Sequence, residues 1–140
     1  MSPSGAATFF PARLEKRRTY PEFNLFHTVL IEFDNAFAIA DDDVEEYLFN
    51  FLDRYAKQNG GMSDCFGETL YSYETVEKML ADIARRAAKL RGGKGSAAAR
   101  SVGSGFPPEA VADFYERFVA RLQSMMRGTP QANLLCVEGL

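Results

Sequence analysis

Apolar residues recur along much of this chain at intervals of three and four, the spacing typical of one face of an α-helix. Four stretches show this pattern, and they predict helices at approximately 24–40, 42–59, 72–91 and 108–127. Each stretch has enough apolar residues to bury one face against its neighbours. The sequence therefore predicts an all-α fold, a single-domain bundle of about four amphipathic helices spanning 1–140.

The first of these stretches fits two interpretations. Helical spacing relates Phe26, Val29, Leu30, Phe33 and Phe37. A strand over 25–33 also fits, because alternate positions there are apolar except at His27. The helix is the preferred interpretation, and the strand remains open.

The segments before, between and after the predicted helices are expected to be less regular or flexible. Residues 1–23 are interpreted as an N-terminal arm with one helical turn at 11–18. Residues 91–105 are rich in Gly, Ala and Ser, which is typical of a flexible connector. The tail at 132–140 is expected to dock as a short extended segment or to stay loose.

Composition places the chain among ordinary globular proteins. It has 140 residues, of which 46% are hydrophobic and 25% charged, and a net charge of −3. Proteins that bind nucleic acid are more often basic, so nucleic acid is disfavoured as a partner. Neither a secretory signal nor a membrane span is recognisable, so a cytoplasmic location is expected.

Carboxylates are concentrated in the first half of the chain, where eight of them and no Lys or Arg lie between Glu32 and Asp53. The consecutive acids at 41–43 lack the spacing and the glycine of a calcium loop, so we predict no metal and no cofactor. Acidic surfaces favour basic partners through complementary charge. The predicted partner-binding residues are Asp41, Asp42, Asp43, Glu45, Glu46, Glu68, Glu74 and Glu77.

Candidate catalytic residues are few. His27 is the only histidine, which excludes sites that need two or more histidines. Cys65 could pair with His27 as nucleophile and base, but no third group is recognisable that would orient the pair. The other cysteine, Cys136, permits one disulfide at most, and a reducing compartment favours two thiols. We assign no catalytic residue, and a small enzyme or ligand-binding bundle using His27 and Cys65 is an alternative.

A basic stretch at 85–100 supports a further alternative, a nucleic-acid accessory protein. It contains six cationic residues and no acid. These are Arg85, Arg86, Lys89, Arg91, Lys94 and Arg100. Lys94 is followed by Gly95, so the stretch does not match a phosphate-binding loop, and it has no aromatic residue to stack on bases.

The leading functional hypothesis is a protein-binding or regulatory module with a basic protein partner. The segments Phe-Gly-Glu-Thr-Leu at 66–70 and Asp-Phe-Tyr-Glu-Arg-Phe at 113–118, in a compact acidic chain, give it a general look similar to small bacterial immunity-type proteins. That resemblance implies an inhibitor that binds its target through an acidic face. The partner's identity and the oligomeric state stay open.

Overall fold

A computed structural model describes residues 5–20, 25–58, 69–92 and 106–139. Within these ranges the chain forms three helical segments and a five-stranded antiparallel sheet. The fold is therefore mixed α and β, and the predicted all-α bundle of four helices is wrong.

The sheet contains the strands β1 (Ala6–Tyr20), β2 (Leu25–Glu32), β3 (Phe37–Ala40), β4 (Thr69–Ser72) and β5 (Leu134–Glu138). Their order is β2-β1-β5-β4, and β3 pairs with the beginning of β1. Strand β1 thus lies between β5 on one side and the successive strands β2 and β3 on the other.

The helices follow the sheet in three segments. The first, α1, covers residues 41–58 and has a π-helical section at Val44–Leu48. The second, α2, is Tyr73–Arg91, and the third, α3, is Pro108–Gly128. Ser72 caps α2, because its hydroxyl accepts a hydrogen bond of 3.1 Å from the Thr75 N–H.

The predicted helix at 24–40 and the predicted arm at 1–23 are corrected by the sheet. Residues 25–32 and 37–40 are the strands β2 and β3, with a bend between them, which agrees with the strand that the sequence left open. The helical turn expected at 11–18 is part of β1. Pro11 fits there because it lies opposite the bend at Phe33, where the pairing passes from β2 to β3.

Both faces of the central strands are buried. One face packs against the helices, and its residues are Ala7, Phe9, Tyr71, Leu135 and Val137. The opposite face forms a second cluster of Phe10, Ala12, Leu70, Leu134 and Cys136. Alternate side chains of β1, β4 and β5 therefore belong to different clusters.

Aromatic rings join the sheet to α3. Phe9 of β1 stacks on Phe37 of β3 with ring centroids 5.1 Å apart. Phe118 of α3 meets Phe9 edge-on at 5.5 Å. This contact fixes α3 across β1 and β3.

Beyond Ala12, β1 pairs only with β2 among the described strands. Its pairing with β5 runs from Thr8 to Ala12, whereas its pairing with β2 continues to Tyr20. Residues 13–20 and 25–31 thus form a two-stranded extension of the sheet, which we call the β1–β2 ribbon.

The predicted connector at 91–105 lies almost entirely outside the described residues, since α2 continues to Arg91. No helix in the described ranges is both long enough and apolar enough to cross a bilayer.

Candidate functional site

The acidic segment lies where the chain passes from β3 into α1. The Asp41 N–H donates a hydrogen bond of 2.8 Å to the Gly5 carbonyl, which ties the start of α1 to the start of β1. Asp41, Asp42 and Asp43 occupy the first turn of α1. Their carboxylates therefore meet the positive end of the helix dipole.

Exposed aromatic residues flank these carboxylates. The side chains of Phe49 and Phe106 are 47% and 62% exposed. Phe49 lines a groove of about 450 Å³ with Asp41, Val44, Glu45 and Gly139.

Phe106 lines a second groove on this part of the molecule, of about 230 Å³, together with Asp43, Tyr47, Ala110, Val111 and Phe114. The two grooves share no lining residue, and we call them together, with Asp41, Asp43, Glu45, Phe49 and Phe106, the acidic–aromatic surface. None of the residues that line either groove is a Lys or an Arg.

The other predicted partner-binding residues do not join this surface. Glu74 forms an ion pair of 3.6 Å with Lys78. Glu77 lies in a different groove with Tyr73 and Arg127. Glu68 lies outside the described residues.

Glu46 is also separated from Glu77. It shares a groove with Lys89, and Lys89 lies about 18 Å along α2 from Glu77 at the rise of an α-helix. The eight carboxylates therefore do not form one continuous acidic face.

The groove that contains Glu46 runs between α1 and α2, and we call it the α1–α2 groove. It has a volume of about 520 Å³ and is lined by four cationic side chains, those of Arg54, Arg85, Arg86 and Lys89. The carboxylates of Glu46 and Asp82 also line it. Cations from two helices thus meet in one groove.

Sequence reasoning missed Phe49, Phe106, Arg54 and Asp82. Phe49 carried a recognisable signal, because it falls outside the apolar stripe of α1 that includes Leu48 and Leu52. Arg54 and Asp82 carried none, because their meeting depends on how α1 packs against α2.

The residues of the catalytic alternative lie apart or outside the described ranges. His27 is exposed on the β1–β2 ribbon opposite Arg17. Cys65 is outside the described residues, and Cys136 is fully buried in β5. Within the part of the chain that the structure describes, no three His, Cys, Asp or Glu side chains are placed to hold a metal ion.

The predicted basic stretch divides after Lys89. Arg91 forms two hydrogen bonds of 2.8 Å with Glu116 of α3. This pair raises the pKa of Arg91 and lowers that of Glu116, because each charge stabilises the other. Lys94 and Arg100 lie outside the described residues. Arg91 therefore links two helices instead of extending the cationic groove.

Comparison of the chain with models of known protein families, with curated proteins and with solved structures found no match.

Proposed function

We propose that the protein is a binding module for a basic protein partner, which it engages through the acidic–aromatic surface. The observation that carries the proposal is the position of exposed Phe49 beside Asp41 and Glu45, and of exposed Phe106 beside Asp43. Aromatic side chains are enriched in the buried centres of protein interfaces.

The charge of the surface selects the kind of partner. Carboxylates border both grooves, and no cation lines them. A basic segment with apolar side chains complements this arrangement, since its cations meet the carboxylates while its apolar groups cover the phenylalanines. An immunity-type inhibitor of a basic enzyme in the cytoplasm is one form of such a module.

The test is affinity purification from the native host, followed by titration calorimetry with the purified basic partner. The Asp43→Asn/Glu45→Gln variant should bind that partner roughly tenfold more weakly or worse. The Phe49→Ala variant should lose affinity for the partner by a similar factor, because the substitution removes an exposed aromatic contact.

The matched control is Glu74→Gln/Glu77→Gln, which changes the net charge by the same amount away from the acidic–aromatic surface. It should leave the affinity unchanged. Equal weakening by both double variants would show that only net charge matters and would overturn the assignment of the surface.

A further inference from the structure

The α1–α2 groove brings together positive charges from two helices. Arg85 and Lys89 are four residues apart on α2, and Arg86 and Lys89 are three apart, so all three lie on one side of that helix. Arg54 of α1 faces them across the groove. The packing of α1 on α2 therefore concentrates cations that are distant in sequence.

Asp82 holds two of these cations in place. Its carboxylate pairs with Arg54 at 3.6 Å and contacts the guanidinium of Arg85. The hydroxyl of Tyr55 donates a further hydrogen bond to Asp82, whose side chain is only 18% exposed. One half-buried carboxylate thus orients two guanidinium groups at the same part of the groove.

Arg86 and Lys89 line the groove together with Arg54 and Arg85. Arg86 is half-buried and lines the groove beside Tyr115, whose hydroxyl donates a hydrogen bond of 2.9 Å to the Tyr47 carbonyl. Lys89 is exposed and makes no ion pair with a described residue. A half-buried guanidinium and an exposed ammonium therefore line the same groove.

We propose that the α1–α2 groove binds a phosphorylated small molecule, with its phosphate groups between Arg86 and Lys89. The planar guanidinium matches two phosphate oxygens, and the ammonium adds a point charge. The groove has the volume of a typical small-molecule site. Phe51 supplies apolar lining for the organic part of the ligand.

A small ligand is favoured over a nucleic-acid chain because the cations do not continue along α2. Arg91, the next cation, is engaged by Glu116 of α3. A nucleic-acid backbone needs a longer basic track than the groove offers.

The experiment is titration calorimetry at low ionic strength with inorganic pyrophosphate and with ATP as probes. The Arg86→Gln/Lys89→Gln variant should bind both probes roughly tenfold more weakly or worse, because the substitutions remove two charged contacts to phosphate. The matched control is Lys78→Gln/Arg117→Gln, which replaces the same residue types on α2 and α3 outside the groove. It should leave both affinities unchanged.

Two single variants at the exposed Lys89 keep the test independent of folding, since Arg86 is half-buried. The Lys89→Gln variant, which changes only an exposed residue, should bind pyrophosphate more weakly. The Lys89→Arg variant keeps the positive charge and should bind it as the unaltered protein does. Equal weakening by the two double variants, or no binding of pyrophosphate by the unaltered protein, would overturn the proposal. Tighter binding of single-stranded DNA than of either probe would overturn it in favour of a nucleic-acid surface.

Discussion

Two buried tyrosine hydroxyls attach α1 to the rest of the molecule. Tyr71 of β4 donates a hydrogen bond of 2.8 Å to the Leu52 carbonyl. Tyr115 of α3 donates one of 2.9 Å to the Tyr47 carbonyl, within the π-helical section. Burial raises the pKa of both phenols, because the charged phenolate would lose its hydration.

This burial predicts a loss of stability in alkaline solution. The pKa of each phenol is higher in the folded state than the value of about 10 in the unfolded chain, so its contribution is complete below pH 10 and declines above it. The decline due to one buried tyrosine can be at most about 1.4 kcal/mol per pH unit.

The measurement is the free energy of unfolding in urea between pH 8 and pH 11. Tyr71→Phe/Tyr115→Phe should lower it by about 1–3 kcal/mol at pH 8, since two hydrogen bonds are lost. Above pH 10 the double variant should lose stability less steeply than the unaltered protein. Parallel pH profiles would contradict the buried, neutral state of the two phenols.

At the scale of elements, the helices were predictable because each buries one stripe of residues. The buried residues of α2 are Val76, Met79, Leu80, Ile83, Ala87 and Leu90, as its periodicity predicts. The strands gave no comparable pattern. Phe9 and Phe10 are neighbours that face opposite clusters, so β1 does not alternate between apolar and polar residues.

The strand β2 was misread for a related reason. Val29, Leu30 and Ile31 are consecutive and all half-buried, so both faces of β2 carry apolar residues. Their spacing with Phe26 and Phe33 matches a helical stripe by coincidence. The strand conformation is determined by the pairing with β1, which no local sequence pattern indicates.

The candidate sites also combine local features, which the sequence predicts, with contacts that depend on packing. The carboxylates at 41–45 were predictable as a local cluster at a helix start. The proximity of Asp43 to Phe106 depends on the packing of α3, and the contact of Arg54 with Asp82 depends on the packing of α1 against α2. Such contacts between distant segments are not visible in the spacing of residues.

The strand β5 lies between β1 and β4, so its buried side chains should contribute strongly to stability. Leu135 is 1% exposed and packs in the cluster beneath the helices. Leu135→Ala should lower the free energy of unfolding by about 2–5 kcal/mol, because it leaves a cavity in the core. Glu138→Ala, on an exposed side chain of the same strand, should change it by less than about 0.5 kcal/mol. Equal, small effects in urea unfolding would indicate a loose tail instead of a central strand.

At the scale of the whole molecule, the modest net charge of −3 conceals a separation of charge. The acidic cluster and Phe49 lie in the first half of α1 and Phe106 lies just before α3, whereas cations gather between α1 and α2. The two proposed ligands, a basic protein and a phosphorylated small molecule, have opposite charge. Each is expected to be repelled by the other's site.

The shape of the sheet predicts uneven protection of its backbone. The β1–β2 ribbon extends past the pairing of β1 with β5, and many of its side chains are exposed. Amides of the ribbon, such as that of Val29, should therefore exchange with deuterium roughly tenfold faster or more than those of Leu135 and Cys136. Hydrogen exchange followed by NMR measures this ratio, and equal protection in the ribbon and β5 would contradict it.

The pairing of β1 with β5 also sets how the chain reaches its native state. Thr8 is paired in register with Glu138, so the centre of the sheet joins residues separated by nearly the whole chain. Bringing such distant residues together costs loop-closure entropy before their contacts contribute. Chains with many contacts of this kind fold in milliseconds to seconds, more slowly than bundles with local contacts. The helices, whose contacts are local, can therefore form early. The rate of folding is limited by the pairing of the first strand with the last.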